Sequence, residues 1–82
     1  MEQDFYRAAE DTLGGRLSLA REVAGLSVDD AARLVNVAHA DWTAWETDRS
    51  APEPHHVYAI AVALRISPAW LIAGRAPGPL PI

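Results

Sequence analysis

Residues 27–45 read SVDDAARLVNVAHADWTAW, and this stretch contains two short helical patterns on either side of an asparagine. Ser27 followed three residues later by Asp30 is typical of a helix start, where a hydroxyl accepts from a free backbone N–H of the first turn. Asn36 then interrupts the pattern, and asparagine is among the few residues besides glycine that adopt the left-handed conformation of a tight turn. The stretch therefore predicts a short helix, a tight turn and a second short helix over about 39–47.

Helical spacing continues on both sides of this pair. Upstream, apolar residues recur at helical spacing at Leu13, Leu17, Ala20, Val23 and Ala24. Gly25 then ends the pattern, as a glycine directly after a helix commonly does. Downstream, Pro54 suits the first position of a helix, and we expect its buried face to hold Val57, Tyr58, Ile60, Ala61 and Leu64. Ser67-Pro68 repeats this kind of start for a fifth short helix ending at Gly74. Since no alternating strand pattern occurs, we predict an all-α fold.

The length of 82 residues allows one small domain. We expect an acidic helical extension over 1–12, a five-helix domain over 13–74 and a proline-rich tail over 75–82. The chain has no cysteine, which excludes a disulfide framework and a cysteine-based zinc site. The N-terminal residues match neither a signal peptide nor a membrane span, so we expect a cytoplasmic protein with no membrane partner.

The formal net charge is −4, and all seven basic residues are arginines. This balance is unfavourable for binding nucleic acid, because neutralisation of phosphates supplies most of the non-specific affinity. The positions of the arginines therefore matter more than the total charge.

An ordered set of residues accompanies the helix pair. In chain order, these residues are Arg16-Leu17, Arg21, Gly25-Leu26-Ser27, Ala31-Ala32, Leu34, Val37, Trp42, Trp45-Glu46, Pro52, Ala61, Leu64 and Ser67 through Leu71. Over about Leu13 to Gly74, the set resembles the lambda-repressor-like, or XRE-type, helix-turn-helix family. The resemblance implies a compact five-helix domain whose third helix enters the major groove of double-stranded DNA. It also implies a transcriptional regulator that binds a paired half-site as a homodimer and requires no cofactor.

Carried over position by position, the resemblance implies two sets of DNA contacts. The base-facing positions are His39, Ala40, Asp41, Thr43 and Ala44. The phosphate-contacting positions are Arg16, Arg21, Ser27, Ala38, Thr47 and Arg49. DNA binding further requires that Arg16, Arg21 and Arg49 lie on one face with the start of the third helix.

The resemblance also implies an ion pair in which Glu46 orients Arg21 toward a phosphate. The alternative is a structural tie between the first and third helices without a role in DNA binding.

Few hydrogen-bond donors are available on the third helix. His39 can donate to guanine, whereas Asp41 can accept from cytosine or serve as a first-turn acid that interacts with the helix dipole. Ala38 stands where the family commonly has serine, so one helix cap and one phosphate contact are missing. Specificity would come from His39, methyl contacts, water and DNA shape. The alternative function is a helix-turn-helix domain that binds a protein partner with little or no affinity for DNA.

The C-terminal part of the chain carries more apolar side chains than one short helix needs. We predict a dimer interface formed by Ile66, Trp70, Leu80 and Ile82. The alternative for Trp70 is that it folds back beneath the tail within one chain.

Other kinds of site are weakly indicated. His55 and His56 lie beside Glu53, but adjacent side chains on a helix point about 100° apart, so we expect neither convergence nor a metal site. An enzyme is not expected either, because the polar side chains that could act in catalysis are scattered: Ser27, His39, Asp41 and Ser50.

Overall fold

The computed structural model describes residues 12–75, and within this range the chain forms five α-helices and no strand. The helices are α1 (Leu13–Val23), α2 (Val28–Leu34), α3 (His39–Glu46), α4 (Pro54–Leu64) and α5 (Pro68–Ala73). The prediction of an all-α fold with five helices is confirmed. The expected extension, apart from Thr12, and the tail beyond residue 75 lie outside the described residues. None of the five helices is long and apolar enough to cross a membrane.

The helix starts follow the local sequence. Three of the helices begin with a hydroxyl that accepts a hydrogen bond from a backbone N–H of the first turn, and these caps are Thr12, Ser27 and Ser67. Ala38 precedes α3 without any side-chain cap, as its methyl group requires.

The turns use residues with positive φ. The predicted left-handed residues are present at Gly25, Asn36 and Gly74, with φ of 75°, 60° and 70°. Asp48 and Arg65 adopt the same conformation without a strong sequence signal, at φ of 59° and 57°.

The core forms where α1, α3, α4 and α5 meet. Its largest fully buried side chains are those of Leu17, Trp42, Ile60 and Leu71. The expected buried face of α4 is correct except for Tyr58, whose exposed fraction is 65%. The buried positions of α4 follow the 3.6-residue period from Val57, whereas Tyr58 is turned about 100° away from Val57.

Gly14 allows α1 to approach the C-terminal end of α3 closely. A Cβ atom at this position would lie 2.5 Å from the carbonyl oxygen of Trp45 and 2.6 Å from that of Glu46. The Gly14 N–H also donates to Asp48 Oδ1 at 2.9 Å. The end of α3 is thereby attached to the first turn of α1.

Candidate nucleic-acid interface

A four-residue turn joins α2 to α3. The turn is closed by the Val37 N–H, which donates to the carbonyl of Ala32 at 2.9 Å. On the inner side of α3, Trp42 and Trp45 are both buried, with ring centroids 5.9 Å apart. These two indoles determine which face of α3 points outward.

The outer face of α3 carries the five positions that the resemblance assigns to base contacts. Four of these residues are exposed and Ala44 is half-buried, the full set being His39, Ala40, Asp41, Thr43 and Ala44. The fold thus brings the predicted reading positions together on one helix surface.

Glu46 accepts hydrogen bonds from two other core-facing residues. Arg21 donates from Nε to Oε2 at 2.6 Å and from its terminal nitrogen Nη2 to Oε1 at 3.3 Å. Trp42 Nε1 donates to the same Oε2 at 2.6 Å. One carboxylate therefore connects α1 to the inner face of α3, and the expected ion pair between Arg21 and Glu46 is present.

Arg21 is held on several sides. Its Nη1 donates to the carbonyl of Leu26 at 2.8 Å, in the loop before α2. The hydrogen bond with Glu46 raises the pKa of Arg21 above its usual value, and this effect exceeds the lowering caused by desolvation. The guanidinium thus remains charged while only 15% of its side chain is exposed.

His39 has a partner that sequence reasoning missed. Its Nδ1 lies 2.5 Å from Asp29 Oδ1, and both side chains are exposed. The hydrogen bond to His39 lowers the pKa of the Asp29 carboxyl, with a smaller contribution from the charge of His39. Asp29 occupies the first turn of α2 and His39 the first turn of α3, ten residues apart, so helix packing rather than local sequence joins them. The Nδ1 atom of His39 therefore already has a partner within the chain.

Arg16, one of the predicted phosphate contacts, is buried in this structure. The residue is only 6% exposed. Its Nε donates to the carbonyl of Leu71 at 2.8 Å and its Nη2 to that of Ile72 at 2.9 Å. Arg16 thus binds the carbonyl end of α5, where a cation satisfies unpaired acceptors and the negative end of the helix dipole.

The other predicted phosphate contacts differ in the donors that they offer. Thr47 donates its hydroxyl to the carbonyl of Thr43 at 2.8 Å, so this hydrogen is already used within the chain. Ser27 accepts from the Asp30 N–H and keeps its own hydroxyl hydrogen. Ala38 is exposed and contributes backbone only.

Arg49 lies exposed in the turn after α3, and its side chain makes no hydrogen bond or ion pair within residues 12–75. With Arg16 buried, the three arginines do not share an exposed face. Arg21 and Arg49 are the two of the predicted set that do not bind the end of α5.

Two residues of the predicted dimer interface belong to the core. Ile66 and Trp70 are buried within one chain, at 8% and 2% exposure. Trp70 lies in the first turn of a short helix whose inner face packs on α1 and α4, so the indole is part of the core. Leu80 and Ile82 lie outside the described residues.

The side chains of Glu53, His55 and His56 converge, contrary to expectation. One possible ligand atom from each lies within 4.8 Å of the other two. The argument from helical spacing failed because Glu53 precedes α4 in an extended conformation, and because the wide imidazole rings of His55 and His56 reach each other, with centroids 4.0 Å apart.

A short helix, a tight turn and a second helix anchored by two buried tryptophans, within a five-helix domain, define a helix-turn-helix protein. The family model described as "Helix-turn-helix domain" matches residues 12–71, and the chain belongs to this family. Among solved structures, the chain is similar to the P22 c2 repressor protein, whose crystal structure is of its complex with synthetic operator 9T in the presence of Tl+. The TM-score is 0.76 at 23% identity, over 79% of this chain and 98% of that one. The resemblance to the lambda-repressor-like fold is thereby confirmed. No curated protein matches the chain.

Proposed function

We propose that this protein is a DNA-binding transcriptional regulator that inserts α3 into the major groove of double-stranded DNA. The observation that carries the proposal is the outward face of α3 in a helix-turn-helix domain. Its residues are small or polar and accessible, while Trp42, Trp45 and Glu46 hold the helix from the inside. Small side chains allow the helix backbone to approach the bases closely.

The distribution of charge is compatible with this function. Residues 1–11 contain four acids and one arginine, which account for −3 of the total charge of −4. The remaining residues, which include the whole helix-turn-helix domain, therefore carry a net charge of only −1. The acidic composition that argued against DNA binding belongs mainly to the N-terminal segment.

Phosphate binding would rest on a small set of groups. Arg49 is exposed directly after α3, and Arg21 is oriented by Glu46. The first backbone N–H groups of α3 have no side-chain cap, and a helix N-terminus attracts phosphate. The Ser27 hydroxyl can donate a further bond.

Binding to a paired half-site requires two copies of the chain. In place of Ile66 and Trp70, we propose an interface formed by the exposed apolar side chains of α4 and α5, namely Tyr58, Val62 and Ile72. Tyr58 and Val62 lie four residues apart on one side of α4. Tyr58 and Ile72 line the same apolar groove, so the three side chains offer a surface that a second copy could cover.

The proposal is tested by selecting bound sequences from a random DNA pool, followed by fluorescence anisotropy on the selected site. Arg49→Glu should abolish measurable binding at physiological salt, because it places a negative charge beside the proposed phosphate contact. Arg75→Glu is the matched control, since Arg75 is an exposed arginine that follows α5, outside the pair formed by α2 and α3.

Absence of DNA binding even at low salt, together with recovery of a specific protein from a pull-down, would replace this proposal with the protein-interaction module. In that case, the outer face of α3 would be a surface for packing against the partner.

A further inference from the structure

Glu53, His55 and His56 form a cluster of possible metal ligands at the start of α4. Their three ligand atoms lie within 4.8 Å of one another. His55 Nδ1 is 3.6 Å from Glu53 Oε1, and the two imidazole rings are 4.0 Å apart between centroids. Neither the proposed reading helix nor the proposed phosphate contacts use these three residues.

The chemistry of this donor set fits a transition-metal ion. Imidazole nitrogens suit zinc, nickel and copper, and a carboxylate oxygen completes the sets of three protein ligands found in open zinc sites. Ligand atoms in a tetrahedral zinc site lie about 3.3 Å apart, as follows from metal–ligand distances of about 2.0–2.1 Å. The side chains of His55 and Glu53 are 69% and 72% exposed, so both can rotate to contract the cluster by the required amount.

His56 supplies the fixed part of the cluster. Its ring packs against Trp45, with 5.1 Å between centroids. Its Nδ1 atom is buried and has no hydrogen-bond partner within residues 12–75. A buried polar atom without a partner is costly, and an ion bound there would supply the missing partner.

We propose that Glu53, His55 and His56 bind one divalent transition-metal ion, of the class of Zn²⁺ or Ni²⁺, with water in the remaining coordination positions. The positive end of the α4 dipole opposes a cation at this place, and the single Glu53 carboxylate offsets that effect. We therefore expect weaker binding than in closed structural sites with four protein ligands.

Calorimetric titration of ZnCl₂ into the untagged 82-residue chain tests the proposal. One equivalent should bind saturably, and His55→Gln and Glu53→Gln should each weaken the affinity by at least about tenfold. The matched control is His39→Gln, which also removes one of the three histidines but lies outside the cluster. Its zinc affinity should equal that of the unmodified chain.

Tryptophan fluorescence during titration with NiCl₂ gives an independent readout, because the Trp45 ring lies beside His56. Quenching should saturate at one equivalent, disappear in His55→Gln and persist in His39→Gln. Both titrations should weaken on acidification, since protons compete for imidazole and carboxylate ligands.

Absence of saturable binding would overturn the proposal, and so would equal affinities in all three variants, which would place the ion elsewhere. Neither titration contains DNA, so failure of the metal site and failure of the proposed DNA binding are separate results.

Discussion

At the scale of single residues, Glu46 attaches the inner face of α3 to α1. Its carboxylate accepts from Arg21 and Trp42 while only 12% of the side chain is exposed. A shielded carboxylate with two donors holds α3 more firmly than a surface pair, because solvent screens it less. The orientation of the outer face of α3 thus depends on one side chain of its inner face.

Replacing Glu46 by alanine should lower the free energy of unfolding by roughly 1–3 kcal/mol, because the donors of Arg21 and Trp42 lose their acceptor. Urea unfolding measures this change. Glu22→Ala is the control: this exposed carboxylate lies 4.0 Å from Arg21, so its loss should matter by less than about 0.5 kcal/mol. A double-mutant cycle without coupling between Glu46→Ala and Arg21→Ala would contradict the prediction.

Replacing Gly14 by alanine should also destabilise the domain, although alanine favours helix formation by up to about 1 kcal/mol. The added methyl group would meet two backbone carbonyls that end α3, and these cannot rotate away as a side chain could. We expect a net loss of about 1–3 kcal/mol in urea unfolding. A Gly14→Ala variant more stable than the unmodified chain would contradict this prediction, because it would mean that α1 can move away from the end of α3 without loss of stability.

At the scale of elements, the contact between α1 and α5 explains why Arg16 is buried. Its guanidinium donates to two carbonyls at the end of α5. Gly74, directly after α5, lies close to the same guanidinium: a Cβ atom there would be 3.4 Å from Nη1. The arginine thus serves as a cap supplied by another helix.

Arg16→Met should keep much of the packing of the aliphatic stem but leave the Leu71 and Ile72 carbonyls without this donor. We expect a loss of about 2–4 kcal/mol in urea unfolding, with faster amide exchange in α5. Arg75→Met is the control, since Arg75 is exposed. If stability stayed unchanged while DNA affinity fell, Arg16 would be a phosphate contact after all.

The pair formed by Asp29 and His39 joins the starts of α2 and α3, beside the proposed reading face. Asp29→Asn should raise DNA affinity, because it removes a negative charge worth about 1 kcal/mol near phosphate and replaces the bond to His39 Nδ1 by a weaker, neutral one. The expected gain is roughly fivefold for each protomer that binds, measured by anisotropy. Asp30→Asn removes the same charge without weakening the bond to His39, so its gain should be smaller. An equal gain in both variants would assign the effect to charge alone.

At the scale of the whole molecule, burial of Arg16 reduces the number of cations available to DNA. If Arg21 and Arg49 each neutralise one phosphate per protomer, a dimer neutralises about four. The slope of log K against log salt should then be about −3.6, instead of about −5.4 if Arg16 also took part.

Arg49→Ala should weaken binding to all sequences and flatten this slope to about −1.8, since it removes two phosphate contacts per dimer. Arg75→Ala should leave the slope unchanged. Anisotropy titrations at several salt concentrations measure both. An unchanged slope in Arg49→Ala would place this arginine away from the DNA.

Much of the fold could be predicted from the sequence, because helix caps and turn residues act on backbone groups only a few positions away. The hydroxyls of Ser27 and Ser67 bind N–H groups three positions away, and Asn36 makes its own turn possible. The faces of the helices follow from the apolar period in the same way. The sequence by itself therefore determined the helix order, the turns at Gly25, Asn36 and Gly74, and the helix-turn-helix class.

Only the tertiary structure decided the roles of individual polar and apolar groups. Arg16 meets the carbonyl of Leu71 across 55 positions of the chain, and Gly14 meets Asp48 across 34. Sequence patterns identify Arg16 as a cation and Trp70 as apolar. They do not show that Arg16 binds the end of α5 or that Trp70 is buried in the core. Those partners depend on how the helices pack, and the pairing of a charge or the burial of an indole follows from that packing.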